Sequence, residues 1–303
     1  MVIDDRWKQL AAQVQHLHQQ PGVKPSPVEH VNLIYVNEHQ PRTPVMYQPS
    51  LIIILQGRKV GYLGERVFHY DPSNYLLMTL PLPCECETFA TPEEPLIGLA
   101  LRVDMQMLQD LLMDIGDGLH TSGRPHADGV RSVALDEAML CACERLVEVM
   151  ETPLQARVLG PQIVREMLFH ALCGAGGDAL FALASRHSHF SQIAKALRMI
   201  EQNYARSLNI DSLAQSVNMS ISSFHHNFKA VTATSPLQYI KSYRLHKARM
   251  MILHDGLKAS TAANRVGYES PSQFSREYKR FFGNTPSDQA SRYRNGGLPI
   301  AEL

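Results

Sequence analysis

Apolar positions fall into two regimes along this chain. Between Leu51 and Arg102, short apolar runs (LIIIL, YLLMTL, PLIGLAL) alternate with turn material at QG, LGE, YDPSN, LPLPC and TPEEP. Runs of that length, punctuated by Gly, Pro, Asp and Asn, predict antiparallel strands closing into a small barrel or sandwich. From Asp104 the spacing becomes helical, over Asp104 to Met113, Asp136 to Met150 and Pro161 to Cys173. Leu140, Cys143, Val147 and Met150 form one stripe, with Asp136 placed to cap its start and Pro153 just past its end. Such a stripe either covers the barrel or pairs with a second chain. The Gly-rich stretch from Gly174 to Asp178 breaks the pattern, and from Ser191 the chain reads as helix, beginning with Ile193, Leu197 and Ile200 on one face. The expectation is an α+β protein: a small β-barrel with flanking helices over residues 1–175, a linker at 176–190, an all-helical domain at 191–294 and a flexible tail at 295–303.

Within the helical part a unit occurs twice. Residues 220–236 read SISSFHHNFKAVTATSP and residues 270–286 read SPSQFSREYKRFFGNTP. Ser220/Ser270, Ser222/Ser272, Phe224/Phe274, Lys229/Lys279 and Pro236/Pro286 are identical, and Phe228/Tyr278 and Ser235/Thr285 nearly so. Each copy has the ingredients of a helix-turn-helix. Asn218 and Gly267 are residue types that readily turn the chain through the left-handed region, and Ser220 and Ser270 can cap the helix that follows. Phe224, Phe228 and Val231, or Phe274, Tyr278 and Phe281, recur at i, i+4, i+7 and should bury one face. The other face stays polar: Ser222, Ser223, His225, His226 and Lys229 in one copy, Ser272, Gln273, Ser275, Arg276 and Lys279 in the other, with Ser220, Lys229, Ser270, Lys279 and Arg280 expected at phosphates. Those side chains suit base edges and phosphates. Between the copies, a helix of roughly 19 residues from Pro236 would be about 28 Å long. With its turns, such a rod can set two recognition helices, 220–231 and 270–282, into successive major grooves about 34 Å apart. It carries Lys241, Arg244, His246, Lys247 and Arg249, of which Lys241, Arg244 and Lys247 are expected at phosphates.

Composition supports this division once it is taken by parts. The whole chain of 303 residues has zero formal charge. Residues 1–185, however, hold 13 basic against 22 acidic side chains, whereas residues 186–294 hold 16 against 6. A basic C-terminal part on an acidic N-terminal part is what a domain facing phosphate requires. With 45% hydrophobic and 19% charged residues the chain reads as soluble, no run reaches membrane-spanning length, and the polar N-terminus is unlike a signal peptide. Five cysteines, an odd number, point to free thiols in the reducing cytosol.

The strings VNMSISSFHHNFKAVTATSPLQYI and VGYESPSQFSREYKRFFGNTP resemble the DNA-binding domain of AraC/XylS-type regulators. ILQGRKVGYLGE, HYDPSNYLLM and TPEEPLIGLAL resemble the cupin-like N-terminal domain of one subset of that family. The resemblance implies a ligand-responsive regulator, often an activator and commonly a homodimer through its N-terminal domain, with double-stranded DNA, a small-molecule effector and RNA polymerase as partners. It places base readers at Ser222, His225 and His226 and at Ser272, Ser275 and Arg276. Two positions depart from the pattern. His226 stands where the first motif usually carries Arg, and Ala233 stands opposite Gly283, where a left-handed residue is expected to cost on the order of 1–2 kcal/mol.

Other chemistry is sparse. Cys84 and Cys86 share one face of a predicted strand, at the edge of disulfide reach, and read better as buried small residues than as a redox or electrophile sensor. The pairs His16/His18 and His187/His189 lie outside the barrel region, which offers only His69. A metal-dependent cupin enzyme would need several His and a carboxylate converging inside the barrel, so no catalytic residue, metal or cofactor is expected. Such an enzyme with an appended helical domain is the alternative from another class, and a helical adapter a third. For an effector pocket the candidates are Gln56, Lys59, His69, Tyr70, Tyr75, Cys84 and Cys86.

Overall fold

A computed structural model describes residues 3–116, 128–184 and 188–294; the expected tail, His187 and part of the expected linker lie outside the described residues. A helix, α1 (Ile3–Leu17), is followed by nine strands: β1 (Gly22–Pro25), β2 (Val31–Val36), β3 (Gln40–Tyr47), β4 (Ser50–Gln56), β5 (Arg58–Leu63), β6 (Arg66–Tyr70), β7 (Asn74–Met78), β8 (Leu82–Phe89) and β9 (Leu96–Arg102). A tenth, β10 (Val130–Ala134), returns after α2 (Met105–Ile115) to pair with β7. All pairings are antiparallel, in one sheet of order β1-β2-β9-β4-β7-β10 and another of order β3-β8-β5-β6. The run LIIIL is apolar throughout because β4 is buried on both faces, with α1 laid across it through Trp7, Leu10, Ala11 and Val14. In β8 the alternation is strict: Leu82, Cys84, Cys86 and Thr88 point inward.

Helices α2, α3 (Glu137–Val149), α4 (Pro153–Val158), α5 (Gly160–Cys173) and α6 (Gly177–Ala184) follow the barrel. Asp104 and Asp136 cap α2 and α3 by accepting from the backbone N–H of Met107 and Met139. The stripe Leu140, Cys143, Val147 and Met150 is covered within the chain, where α3 packs on α1 and α5. The segment expected as a linker instead contains α6, an apolar helix that buries Ala179, Leu180 and Leu183 between α5 and α7 (His189–Asn203). Among the described residues no single helix is long and apolar enough to cross a membrane.

The C-terminal part is all-helical as expected, with seven helices among the described residues: α7, α8 (Ile210–Ser216), α9 (Ile221–Thr232), α10 (Pro236–Leu253), α11 (Ala259–Arg265), α12 (Pro271–Phe282) and α13 (Pro286–Arg294). Their packing is unequal. The first unit, α8–α9 with α7, shares one continuous hydrophobic core with the barrel, running to Tyr239 and Tyr243 of α10. The second unit has its own core of Leu245, Ala248, Ile252, Val266, Phe274, Tyr278 and Phe282. Two contacts from α10 bind the barrel directly. Tyr239 Oη donates to the Pro81 carbonyl at 2.8 Å, and the buried Arg249, its guanidinium 4.6 Å from the Phe282 ring centre, donates to the Pro44 carbonyl at 3.2 Å.

Candidate nucleic-acid interface

Each unit turns where the sequence places the turn. Asn218 and Gly267 have φ of 57° and 88°. Ser220 and Ser270 then cap α9 and α12, each accepting at 3.3 Å from the backbone N–H three residues on. Phe224 and Phe228, and Phe274 and Tyr278, are fully buried. At the next turn the second copy differs from expectation: Phe282 is buried and Phe281 only half-buried, because the 3.6-residue repeat brings i+8 as well as i+7 onto the inner face.

Both α9 and α12 end in the left-handed region, Ala233 at φ 57° and Gly283 at φ 77°. Each cap donates its N–H to the carbonyl four residues back, Lys279 at 2.8 Å and Lys229 at 2.9 Å. Ala233 thus accepts the strain instead of ending its helix differently. Ala233→Gly should therefore raise stability by about 0.5–1 kcal/mol, the relief of left-handed strain less the entropy glycine gains when unfolded. Chemical denaturation measures it; an unchanged or lower midpoint would show that the Ala233 methyl, 3.2 Å from the position a Cβ would take at Gly64 in the β5–β6 turn, outweighs the strain.

The outer faces are open. Ser222, His225, His226 and Lys229 of α9 and Ser272, Gln273, Ser275, Arg276, Lys279 and Arg280 of α12 are all exposed. Arg276 makes no hydrogen bond or ion pair among the described residues, so its donors are unspent. Ser275 donates to the Pro271 carbonyl at 3.0 Å, and Gln273 donates to Glu277 at 3.1 Å. Glu277 also accepts from Tyr268 Oη at 2.8 Å. Although burial works against it, these hydrogen bonds and the nearby Lys241 hold the Glu277 carboxyl below its ordinary range.

The rod is 18 residues long, close to the expected length, and is capped by Ser235. Its cations differ in use. Lys241 lies 3.9 Å from Glu277, and Lys247 lies over the Tyr243 ring. Arg244, expected at a phosphate, instead donates to the carbonyls of Tyr204 and Arg206, both at 2.7 Å, and of Gly267 at 3.4 Å. Its guanidinium ties the end of α7 to the turn of the second unit, satisfying carbonyls that no helix ladder reaches.

The effector candidates disperse. Lys59 and Cys86 line a cleft of about 290 Å³, which lies between the barrel and the second unit. Its far wall is Leu253, Phe282, Asn284, Gln289, Arg292 and Tyr293, none of which is among the candidates drawn from the sequence. Tyr70 sits behind Cys86, its hydroxyl 2.9 Å from that of Tyr47, and burial pushes both phenols well above their ordinary range. Cys84 is buried on the same strand face, but does not line the cleft. Gln56 donates to the Pro95 carbonyl at 2.9 Å in a separate groove at the barrel end, His69 faces solvent, and Tyr75 is buried against the α5–α6 turn near Gly174. No group of three or more His, Cys, Asp or Glu that could hold a metal ion occurs among the described residues.

A β-barrel fused to two helix-turn-helix units with open polar recognition faces defines a DNA-binding transcriptional regulator. Residues 27–179 match the AraC-type transcriptional regulator N-terminus family, and residues 213–292 a helix-turn-helix domain family; the chain belongs to the AraC-type regulators. It is 24% identical over 243 residues to the virulence regulon transcriptional activator VirF of Yersinia enterocolitica, covering 79% of this chain and 88% of that one. It is 26% identical over 158 residues to the transcriptional activator RhaS of Escherichia coli, covering 51% of this chain and 55% of that one. The fold is that of ToxT from Vibrio cholerae, at a TM-score of 0.61 and 9% identity, covering 88% of this chain and 99% of ToxT.

Proposed function

We propose that this regulator activates transcription by placing α9 and α12 in consecutive major grooves, and that a small anionic molecule in the cleft between barrel and second unit controls that placement. The observation that carries the first part is the pair of exposed, similarly capped recognition helices at the two ends of one rod. Base readers are Ser222, His225 and His226, with Ser272, Gln273, Ser275 and Arg276; Ser220, Lys229, Lys241, Lys247, Ser270, Lys279 and Arg280 face phosphates. The rod, about 27 Å long by its rise per residue, fits the spacing of adjacent grooves once the turns are added.

The second part rests on Lys59, only 3% exposed yet lining the cleft without a carboxylate partner among the described residues. Glu38 and Arg292 also line the cleft with opposite charges, but the buried ammonium, without an ion-pair partner among the described residues, favours an anionic guest, and Val45, Leu253 and Phe282 give that guest an apolar wall. A structure of ToxT holding an unsaturated fatty acid, at a TM-score of 0.55 and 12% identity, makes an aliphatic carboxylate the first candidate. Homodimerisation through the N-terminal domain and contact with RNA polymerase complete the reading.

The test uses the full chain and duplexes selected from a random pool. If about six phosphates are contacted, affinity should fall on the order of a thousandfold between 50 and 200 mM salt. A flat salt response defeats DNA reading. Selection unaffected by aliphatic carboxylates, in the native chain as in Lys59→Met, defeats the effector reading alone.

A further inference from the structure

We propose that Cys86 is a covalent-modification site for small α,β-unsaturated carbonyl compounds, which enter the same cleft and are oriented there by Lys59. Cys86 lies on the cleft wall, 5% exposed, whereas Cys84 and Cys143 do not line it. Strand register explains the access. Across β5 and β8, Lys59 pairs with Thr88 and Gly61 with Cys86, so Lys59 and Cys86 are diagonal neighbours on one face; Gly61 leaves room for the Tyr70 ring, and on the β3 side Cys86 stands opposite Thr43, which also lines the cleft. The Lys59 ammonium meets ring faces only, Tyr47 at 5.7 Å and Tyr70 at 6.0 Å, and finds no hydrogen-bond acceptor or carboxylate among the described residues. It therefore keeps a position open for a carbonyl oxygen.

The back of the thiol is equally specific. Tyr47 Oη donates to Cys86 Sγ at 3.4 Å, and Tyr70 Oη lies 3.1 Å from it. Two buried phenols that keep their protons are donors to a sulfur gaining negative charge. In the reaction, the sulfur forms a bond to the β-carbon of the enone and the C=C π pair moves through the carbonyl toward oxygen, where Lys59 stabilises it. The proton from the thiol ends on the α-carbon. Nothing leaves and no oxidant is consumed, so the adduct carries the whole mass of the guest. A peroxide is the less suited reagent: it would oxidise the thiol to a sulfenic acid without using the apolar wall or the Lys59 ammonium. This inference deepens the reading of the cleft as a regulatory pocket, but the adduct is read by mass and does not depend on DNA binding.

The experiment treats the full chain with methyl vinyl ketone and maps all five cysteines by peptide mass. Cys86 should take up the ketone on the order of ten times faster than Cys84 or Cys143. Lys59→Met should slow Cys86 by a similar factor while leaving the exposed Cys173 unchanged, and Lys59→Arg should preserve most of the rate. Should Lys59→Met fail to fold, the native mapping decides. Adducts confined to Cys173 and Cys141 with Cys86 intact, an equal Cys86 rate in folded Lys59→Met, or oxidation by peroxide as the only change at Cys86 would each overturn the proposal.

Discussion

Gly267→Ala is expected to lower stability by about 3 kcal/mol or more and to remove the second unit from DNA binding. A Cβ at that position would overlap the Ala205 carbonyl oxygen and stand 3.0 Å from its carbon, both backbone atoms that cannot step aside. The left-handed conformation adds about 1–2 kcal/mol, and overpacking about 1–3 kcal/mol. Asn218, at φ 57° in the first unit, shows that the conformation alone does not demand glycine. Close approach of the α7–α8 connection does. Gly283→Ala is the control: at φ 77° it has no atom within 4 Å of the added carbon, so it should cost only about 1 kcal/mol. Denaturant titration of the two variants measures the difference. Equal losses would mean that the turn relaxes away from Ala205.

Arg276→Ala should weaken DNA binding by about 1–3 kcal/mol and relax preference at particular base pairs, because an unspent, exposed guanidinium in the first turns of α12 is suited to bidentate contact with guanine. Lys279→Ala should weaken binding alike on all sequences and reduce the salt slope by about one. Binding measured on a set of single-base variants of a selected site separates the two. Uniform loss in both variants would remove Arg276 from the base readers. The first unit offers His226 at the comparable position, with shorter reach and only two ring nitrogens, so the larger base-specific effect is expected in the second unit.

Local chemistry makes the C-terminal part legible in the sequence. Caps, turns and apolar spacing at Ser220, Asn218, Phe224 and their counterparts act over a few residues, and each stands where that chemistry predicts it. Strands β1 to β3 and β10 lie outside the predicted strand region, since Pro41 and Pro44 interrupt β3 and β10 stands isolated between helices. The α6 helix is hidden by the glycines that precede it, which have the composition of a linker. The cleft is illegible for a different reason. Lys59 follows exposed Arg58 and precedes buried Val60, and nothing in that tripeptide tells that the inward lysine meets a wall made by Phe282 and Arg292. Similarly, Arg244 looks like any surface cation until the carbonyls of Tyr204 and Arg206 are brought beside it by α7.

The two separate cores bear on how the protein holds DNA in time. Once the first unit, continuous with the barrel, has docked, the rod α10 keeps the second within a few tens of ångströms of its groove, so the second contact is intramolecular and governed by an effective concentration. On the proposed reading, a guest wedged against the second unit would alter that concentration without touching any of the side chains proposed to read bases. Its signature is then a change in residence time on DNA, with the preferred sequence unaltered.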